Sequence, residues 1–273
     1  MLFIKAWKFF LFVVVMSGFI SHSLFNRLLS ADLNKRRRYY VRTASFWSRQ
    51  ALKLVKFNVH YINLPTGDRQ YLFVGNHLGL FDVLALASKA PALFITSIEM
   101  RNTPFLGFVS EMAGCMYVER RSRSNILGEM GEIRQALKDG FNVGLYPEGT
   151  SSDGQGVLPL KKTLMTAAAG TGVPIKPVVI NFRKVNGEPM SPKWREHVCW
   201  YGDNTFVSSL FKIFELQSVD VDVEFCDEVM VHNEEERRTV AAAIQAVMIQ
   251  KYTPIPLAPG EKSFFSPEVF AKA

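Results

Sequence analysis

The sequence predicts an α/β fold, a mostly parallel sheet flanked by helices, preceded by a separate N-terminal helical segment. Three observations carry this reading. From residue 70 onward, short apolar runs alternate with segments of helical periodicity, the pattern of strands joined by crossover helices. The 273 residues can bury one sizeable core without requiring a second full domain. Charge is uneven: residues 1–60 hold eleven Lys and Arg against Asp32 alone, a net +10, which leaves −3 for the remainder of a chain at +7. A hydrophobic content of 48%, with 22 Phe, is somewhat apolar for a soluble protein. Cys115, Cys199 and Cys226 are odd in number and widely spaced, so they offer neither a disulfide framework nor metal-ligand spacing, and a reducing compartment fits best.

The N-terminal elements come first. Residues 9–20 form a twelve-residue apolar stretch behind Lys5 and Lys8. A full span needs about 20 apolar residues, and about 10–14 more often mark a re-entrant or interfacial segment. A secretory signal is the rival, because positive residues lead into a short apolar run. No small-x-small cleavage site follows, and the basic cluster beyond opposes export, so a retained anchor is expected. Residues 34–57 read as an amphipathic helix, with Tyr39, Ala44, Phe46, Trp47, Leu52 and Val55 among Arg36, Arg37, Arg38, Arg42, Arg49, Lys53 and Lys56. Basic groups at headgroup level with Trp and Phe below them describe an interfacial helix. A helix packed on the body with a solvated basic face is the alternative, and both can hold at once. Residues 1–60 are therefore expected to be a membrane-associated helical anchor with a lipid bilayer as partner. The positive flank places the body on the cytoplasmic face of the inner membrane. Nucleic acid also reads basic patches, but no nucleic-acid motif is present and none is expected as partner.

Residues 61–252 are expected to form the α/β domain. Strands are read at 71–74, 92–96, 115–118, 142–146 and 175–180. Ile126, Met130, Ile133 and Leu137 recur at helical spacing with Gly140 as a stop, and residues 161–169 read as a helix ending near Gly170. Val219, Val221, Val223 and Phe225 alternate with acids, which predicts a half-buried strand near an edge. Asn233, followed by three Glu, caps a last helix to about residue 252, and residues 253–273 read as an irregular tail.

The most informative run is Gly75-Asn76-His77-Leu78-Gly79-Leu80-Phe81-Asp82, directly behind the strand at 71–74. On a continuous helix, residues five apart point about 140° away from each other and could not meet. They meet if His77 ends the strand and Asp82 lies in the first turn of the next helix. A carboxylate on one ring nitrogen fixes the tautomer and frees the other to take a proton. The competing reading is a buried histidine satisfied by a nearby Asp. A second loop, Tyr146-Pro147-Glu148-Gly149-Thr150-Ser151-Ser152, follows the strand at 142–146.

With both blocks in place, and with weaker ones at 104–120 and 172–178, the chain resembles the glycerolipid acyltransferase family over about residues 70–180. Members acylate glycerol 3-phosphate or 1-acylglycerol 3-phosphate. The resemblance implies an O-acyltransferase of phospholipid biosynthesis that acylates the hydroxyl of a lysolipid acceptor. It implies His77 as the base for that hydroxyl and Asp82 as its orienting partner. Acyl-CoA or acyl carrier protein is the donor substrate, and neither a metal nor another cofactor is expected. Glu148, Gly149 and Thr150 are expected to shape the acceptor pocket, with loop bracing as the other role for Glu148. Arg120 is expected to meet the acceptor headgroup, with a plain surface arginine as the alternative. No Gly-x-Ser-x-Gly elbow is present, which favours direct attack over an acyl-enzyme. Two departures matter: family members that use 1-acylglycerol 3-phosphate carry Arg after Glu-Gly-Thr, and a lysine ahead of the position of Pro104. Here Ser151 occupies the first place and Ser97 and Ile98 the second, while Asp153 adds an acid. That composition is closer to relatives acylating other lysolipids, including lyso-ornithine lipid. A lipid-binding protein on an inactive scaffold and a thioester-independent transacylase are the competing functions.

Overall fold

The computed structural model describes residues 2–119, 125–261 and 263–265. The chain runs α1 (Leu2–Leu29), α2 (Leu33–Leu54), β1 (Phe57–Ile62), β2 (Leu72–Gly75), α3 (Leu80–Lys89), β3 (Leu93–Ser97), α4 (Ile98–Arg101), α5 (Leu106–Met112) and β4 (Met116–Val118). It continues through α6 (Ile126–Lys138), β5 (Val143–Leu145), β6 (Ile175–Val185), β7 (Glu188–Pro189), α7 (Arg195–Val198), α8 (Phe206–Glu215), β8 (Val219–Phe225) and α9 (Arg237–Lys251).

These strands form one sheet in the order β1-β8-β6-β2-β5-β3-β4, with β7 as a short hairpin partner of β6. Four neighbouring pairs of the central and far strands are parallel, β6 pairs antiparallel with β8, and β1 runs parallel to β8. The fold is thus α/β with a mostly parallel sheet. Every residue of β2 and β5 is buried, as expected for central parallel strands covered on both faces. One layer holds α3 with α2 packed on it and α1 on α2; the other holds α6, a 3₁₀ turn at Leu164–Ala168, and α9. Phe57 of β1 stacks on Phe81 of α3 at 4.4 Å between ring centroids, which fixes the first layer to the sheet.

Two expectations change in detail. The strand at 219–225 alternates as read, but it lies one place inside the edge, because β1 pairs along its whole length. β1 escaped notice because its apolar residues continue the basic helix; α2 stops at Leu54, and Lys56, at φ 55°, turns the chain into the strand. Residues 161–169 form only the 3₁₀ turn, where Thr163, Thr166 and Thr171 hydroxyls and carbonyls compete with α-helical bonding.

At 25 residues, Lys5–Leu29 of α1 is long and apolar enough to cross a membrane by length and composition. Both of its ends are nevertheless bonded to the body. Lys5 pairs with Glu215 at 2.8 Å and Lys8 donates to the carbonyl of Leu216, both at the end of α8. At the other end Asn26 donates to Thr43 of α2 at 2.7 Å, and Arg27 lies 3.6 Å from Glu111 of α5. Between these ties Trp7, Phe9, Phe10, Val13, Val14 and Phe25 are exposed.

Candidate active site

The site lies where β2, β5 and α3 meet. Asn76 continues the β2–β6 ladder with its side chain: Nδ2 donates to Ile180 O at 3.1 Å, and Ile180 N donates to Oδ1 at 2.8 Å. That splice delivers His77 to the end of the strand. Its backbone is then clamped on both sides by the second loop. His77 N donates to Glu148 Oε1 at 3.0 Å, and Ser152 N donates to His77 O at 2.8 Å.

Asp82 is the third residue of α3, and its carboxylate reaches back to the helix start. Oδ2 accepts from Gly79 N at 2.7 Å, from Leu78 N, and from His77 Nδ1 at 3.1 Å. Two backbone N–H groups at the N-terminus of α3 thus point at this one oxygen. An ionised carboxylate only accepts, so the shared proton sits on Nδ1 and Nε2 is left as the basic nitrogen. Asp82 is buried, whereas the His77 side chain keeps 23% of its surface exposed. The pair therefore presents a fixed base toward solvent.

Glu148, 5% exposed, also accepts from Leu158 N at 3.2 Å. Burial pushes its carboxyl up to about 8, against the two N–H donors that pull it down and with Asp82 nearby adding to the rise. Its observed contacts are those of a brace. Gly149 has φ 76°, a conformation that glycine adopts without strain, and the Lys161 side chain folds across it. Thr150 is exposed, with only a 3.4 Å contact from its hydroxyl to Ser151 O. Arg120 lies outside the described residues. Ser151, at the position of the expected arginine, spends its hydroxyl on the Trp200 carbonyl.

Two features had no signal in the sequence. Tyr146 stacks on His77, with centroids 4.5 Å apart and planes at 22°, and lies parallel to Phe94 on its other side at 6.3 Å. Phe94 in turn lines a cavity of about 160 Å³ walled by Phe12 and Phe19 of α1, Trp47 of α2, Leu80, Phe81 and Leu84 of α3, and Phe214 of α8. An apolar chamber thus runs from the N-terminal helices to Leu80 and Phe81 in the first turn of α3, the residues just before Asp82. Its walls come from six elements, α1, α2, α3, β3, α5 and α8, spread over the sequence. The aromatic residue before Pro147 is the single local hint.

An imidazole–carboxylate pair at the start of α3, next in the chain to Leu80 and Phe81 of the chamber wall, is equipped to move a proton from a hydroxyl. Comparison with known proteins gives the class. The family model described as Acyltransferase matches residues 56–181. A lyso-ornithine lipid O-acyltransferase of Rhizobium meliloti (strain 1021) is 30% identical over 205 residues, covering 72% of this chain and 70% of that protein. A 1-acyl-sn-glycerol-3-phosphate acyltransferase of Neisseria gonorrhoeae is 27% identical over 161 residues, 59% of this chain and 61% of that one. In fold, the crystal structure of the 1-acyl-sn-glycerophosphate (LPA) acyltransferase PlsC from Thermotoga maritima superposes with a TM-score of 0.62 at 22% identity, over 92% of this chain and 95% of that chain. The chain belongs to the acyltransferase family.

Proposed function

We propose that this acyltransferase moves an acyl chain from a thioester, acyl-CoA or acyl carrier protein, to the free hydroxyl of a lysolipid. The observation that carries the reading is His77 Nδ1 held by Asp82 with no partner at Nε2 among the described residues, and with Leu80 and Phe81 of the same helix start walling an apolar chamber. The acceptor hydroxyl gives its proton to Nε2 as its oxygen attacks the thioester carbonyl. The tetrahedral adduct collapses by breaking the carbon–sulfur bond, and the imidazolium returns the proton to the departing thiolate. Asp82 stabilises the charged ring throughout, and such general-base help is worth about 10²- to 10⁴-fold. Glu148, Ser152 and Asn76 keep the histidine backbone in place, so their work is preorganisation. Gly149 and Thr150 border the acceptor side, and Arg120 is assigned to the acceptor headgroup.

The names of the relatives support two acceptors, 1-acylglycerol 3-phosphate and lyso-ornithine lipid. Ser151 in place of an arginine, with Asp153 two residues on, favours the second. The chain works at the cytoplasmic face of the inner membrane. Because both ends of α1 are bonded to the body, α1 lies along one leaflet with its exposed aromatic residues in the acyl region. Membranes bearing the full chain, given labelled acyl-CoA and a lysolipid panel, test the reading. Acylation is expected with the native chain and lost with His77→Ala at equal protein level. Acylation retained by His77→Ala overturns the mechanism, and none by the native chain returns the inactive-scaffold reading.

A further inference from the structure

The departures noted in the sequence leave a question of charge. An acidic headgroup brought to His77 needs a cation, and Ser151, bonded to the Trp200 carbonyl, cannot supply one. We infer that Lys161 is the residue that receives the acidic headgroup, phosphate or carboxylate, of the acceptor lysolipid. This inference rests on the acyltransferase reading above and deepens it.

Three observations place the ammonium. Lys161 is tied to the loop by its backbone, its N–H donating to Pro147 O at 2.8 Å. Its side chain then folds back over Gly149 so closely that a Cβ there would lie 2.5 Å from Nζ and 2.7 Å from Cε. The glycine therefore makes room for the lysine, at a φ of 76° that itself favours glycine. Lys161 is exposed, and no hydrogen bond or ion pair holds its ammonium among the described residues. A free cation is held above a catalytic loop, which is the arrangement a binding site requires and a structural ion pair does not.

The side of the sheet also fits. Phe94 and Ile95 are consecutive in β3, so they face opposite ways. Phe94 lines the large apolar chamber, whereas Ile95 lines a separate cavity of about 50 Å³ shared with Tyr146, Pro147, Gly149 and Lys161. The acyl chain and the headgroup thus approach His77 from different sides. A single ammonium on a flexible stem acts as a point charge and accepts either anion, while an arginine fork is matched to planar bidentate recognition. That chemistry suits an acceptor with one acidic group better than a doubly charged phosphate monoester, and the panel below separates the two.

The test measures initial rates with the full chain in membranes, using acyl-CoA with 1-acylglycerol 3-phosphate, lyso-ornithine lipid and uncharged 1-acylglycerol. Lys161→Met keeps the stem and removes the charge; Lys161→Arg restores it. For whichever acidic acceptor the native chain uses, Lys161→Met is expected to raise the acceptor KM by about 10-fold or more. The KM for acyl-CoA and any rate with 1-acylglycerol should stay within about 2-fold, and Lys161→Arg should recover most of the loss. An unchanged acceptor KM, an equal loss with charged and uncharged acceptors, or a rise confined to acyl-CoA overturns the inference while leaving the acyltransferase reading intact. A native chain that acylates nothing in the panel brings down both.

Discussion

His77 illustrates how few contacts a base needs if each is doubly used. The carboxylate of Asp82 caps α3 and orients the ring with the same oxygen, so the local fold and the proton transfer share an atom. Glu148 does the equivalent for the backbone, and its buried carboxyl gives a measurable pH signature. Its ordinary value is 4.5, and in the fold burial raises it to about 8. Between those values the folded chain holds more protons than the unfolded one, so this group's contribution is complete below 4.5 and is lost as pH rises toward 8. Glu148→Gln cannot titrate. Urea midpoints at pH 5 and pH 8.5 should therefore fall less with rising pH in Glu148→Gln than in the native protein; parallel falls would show that the carboxyl titrates normally. The His77 and Asp82 pairing was legible from residue spacing, because a strand end followed by a helix start is the one local geometry that brings the two together. The bracing of Glu148 by Leu158 and the ring of Tyr146 were not legible, since both depend on where separate loops return.

At the scale of elements, the strands were readable because buried parallel strands are short apolar runs. The helices α5 and α8 were not read: α5 is only seven residues long, and the apolar stripe of α8, Phe206, Leu210, Ile213 and Phe214, serves the chamber and α1 and stands apart from the strand–helix alternation. The junction of α1 with α2 is a close one. A Cβ on Gly18 would lie 2.1 Å from the Trp47 ring, which is also a wall of the chamber. A larger side chain must push α1 away or drive the indole inward, because close-packed interiors have no slack. Gly18→Leu is accordingly expected to lower turnover with long acyl donors more than with short ones, by about 15- to 60-fold in the ratio if the chamber loses two or three methylene positions at about 0.8 kcal/mol each. Competition between acyl-CoA species of different length reads that ratio directly, and an unaltered ratio would remove the chamber from the donor path.

At the scale of the whole molecule, exposed apolar groups of α1 and α8 adjoin one another. Phe9 of α1 stacks on Phe211 of α8 at 5.9 Å, and both are exposed beside Phe10, Val14 and Val207. Lys35, Arg42 and Lys53 of α2 project as exposed cations. Replacing Phe9, Phe10 and Phe211 by Ser together should weaken co-sedimentation with vesicles at any salt concentration. Raising salt should weaken binding of the native chain to anionic vesicles but leave neutral ones little affected. Equal binding by the triple variant would mean that this face is not the one that meets lipid. The sequence displayed the apolar run and the basic cluster, but not that α1 is fastened at both ends, since Lys5, Lys8 and Asn26 find partners as far as 210 positions away.

One last contact ties the far part of the chain to the chemistry. The segment that clamps His77 continues to Gly154, whose carbonyl accepts from the Tyr252 hydroxyl at 2.8 Å and from Ile255 N at 2.8 Å. Arg195, fully buried, holds the same stretch through the carbonyls of Ile255 and Pro256. A nascent chain on the ribosome therefore carries its histidine, its acid and its apolar chamber well before the strap that fixes the clamp has been made. On this geometry the support behind the clamp is complete only when that strap has docked.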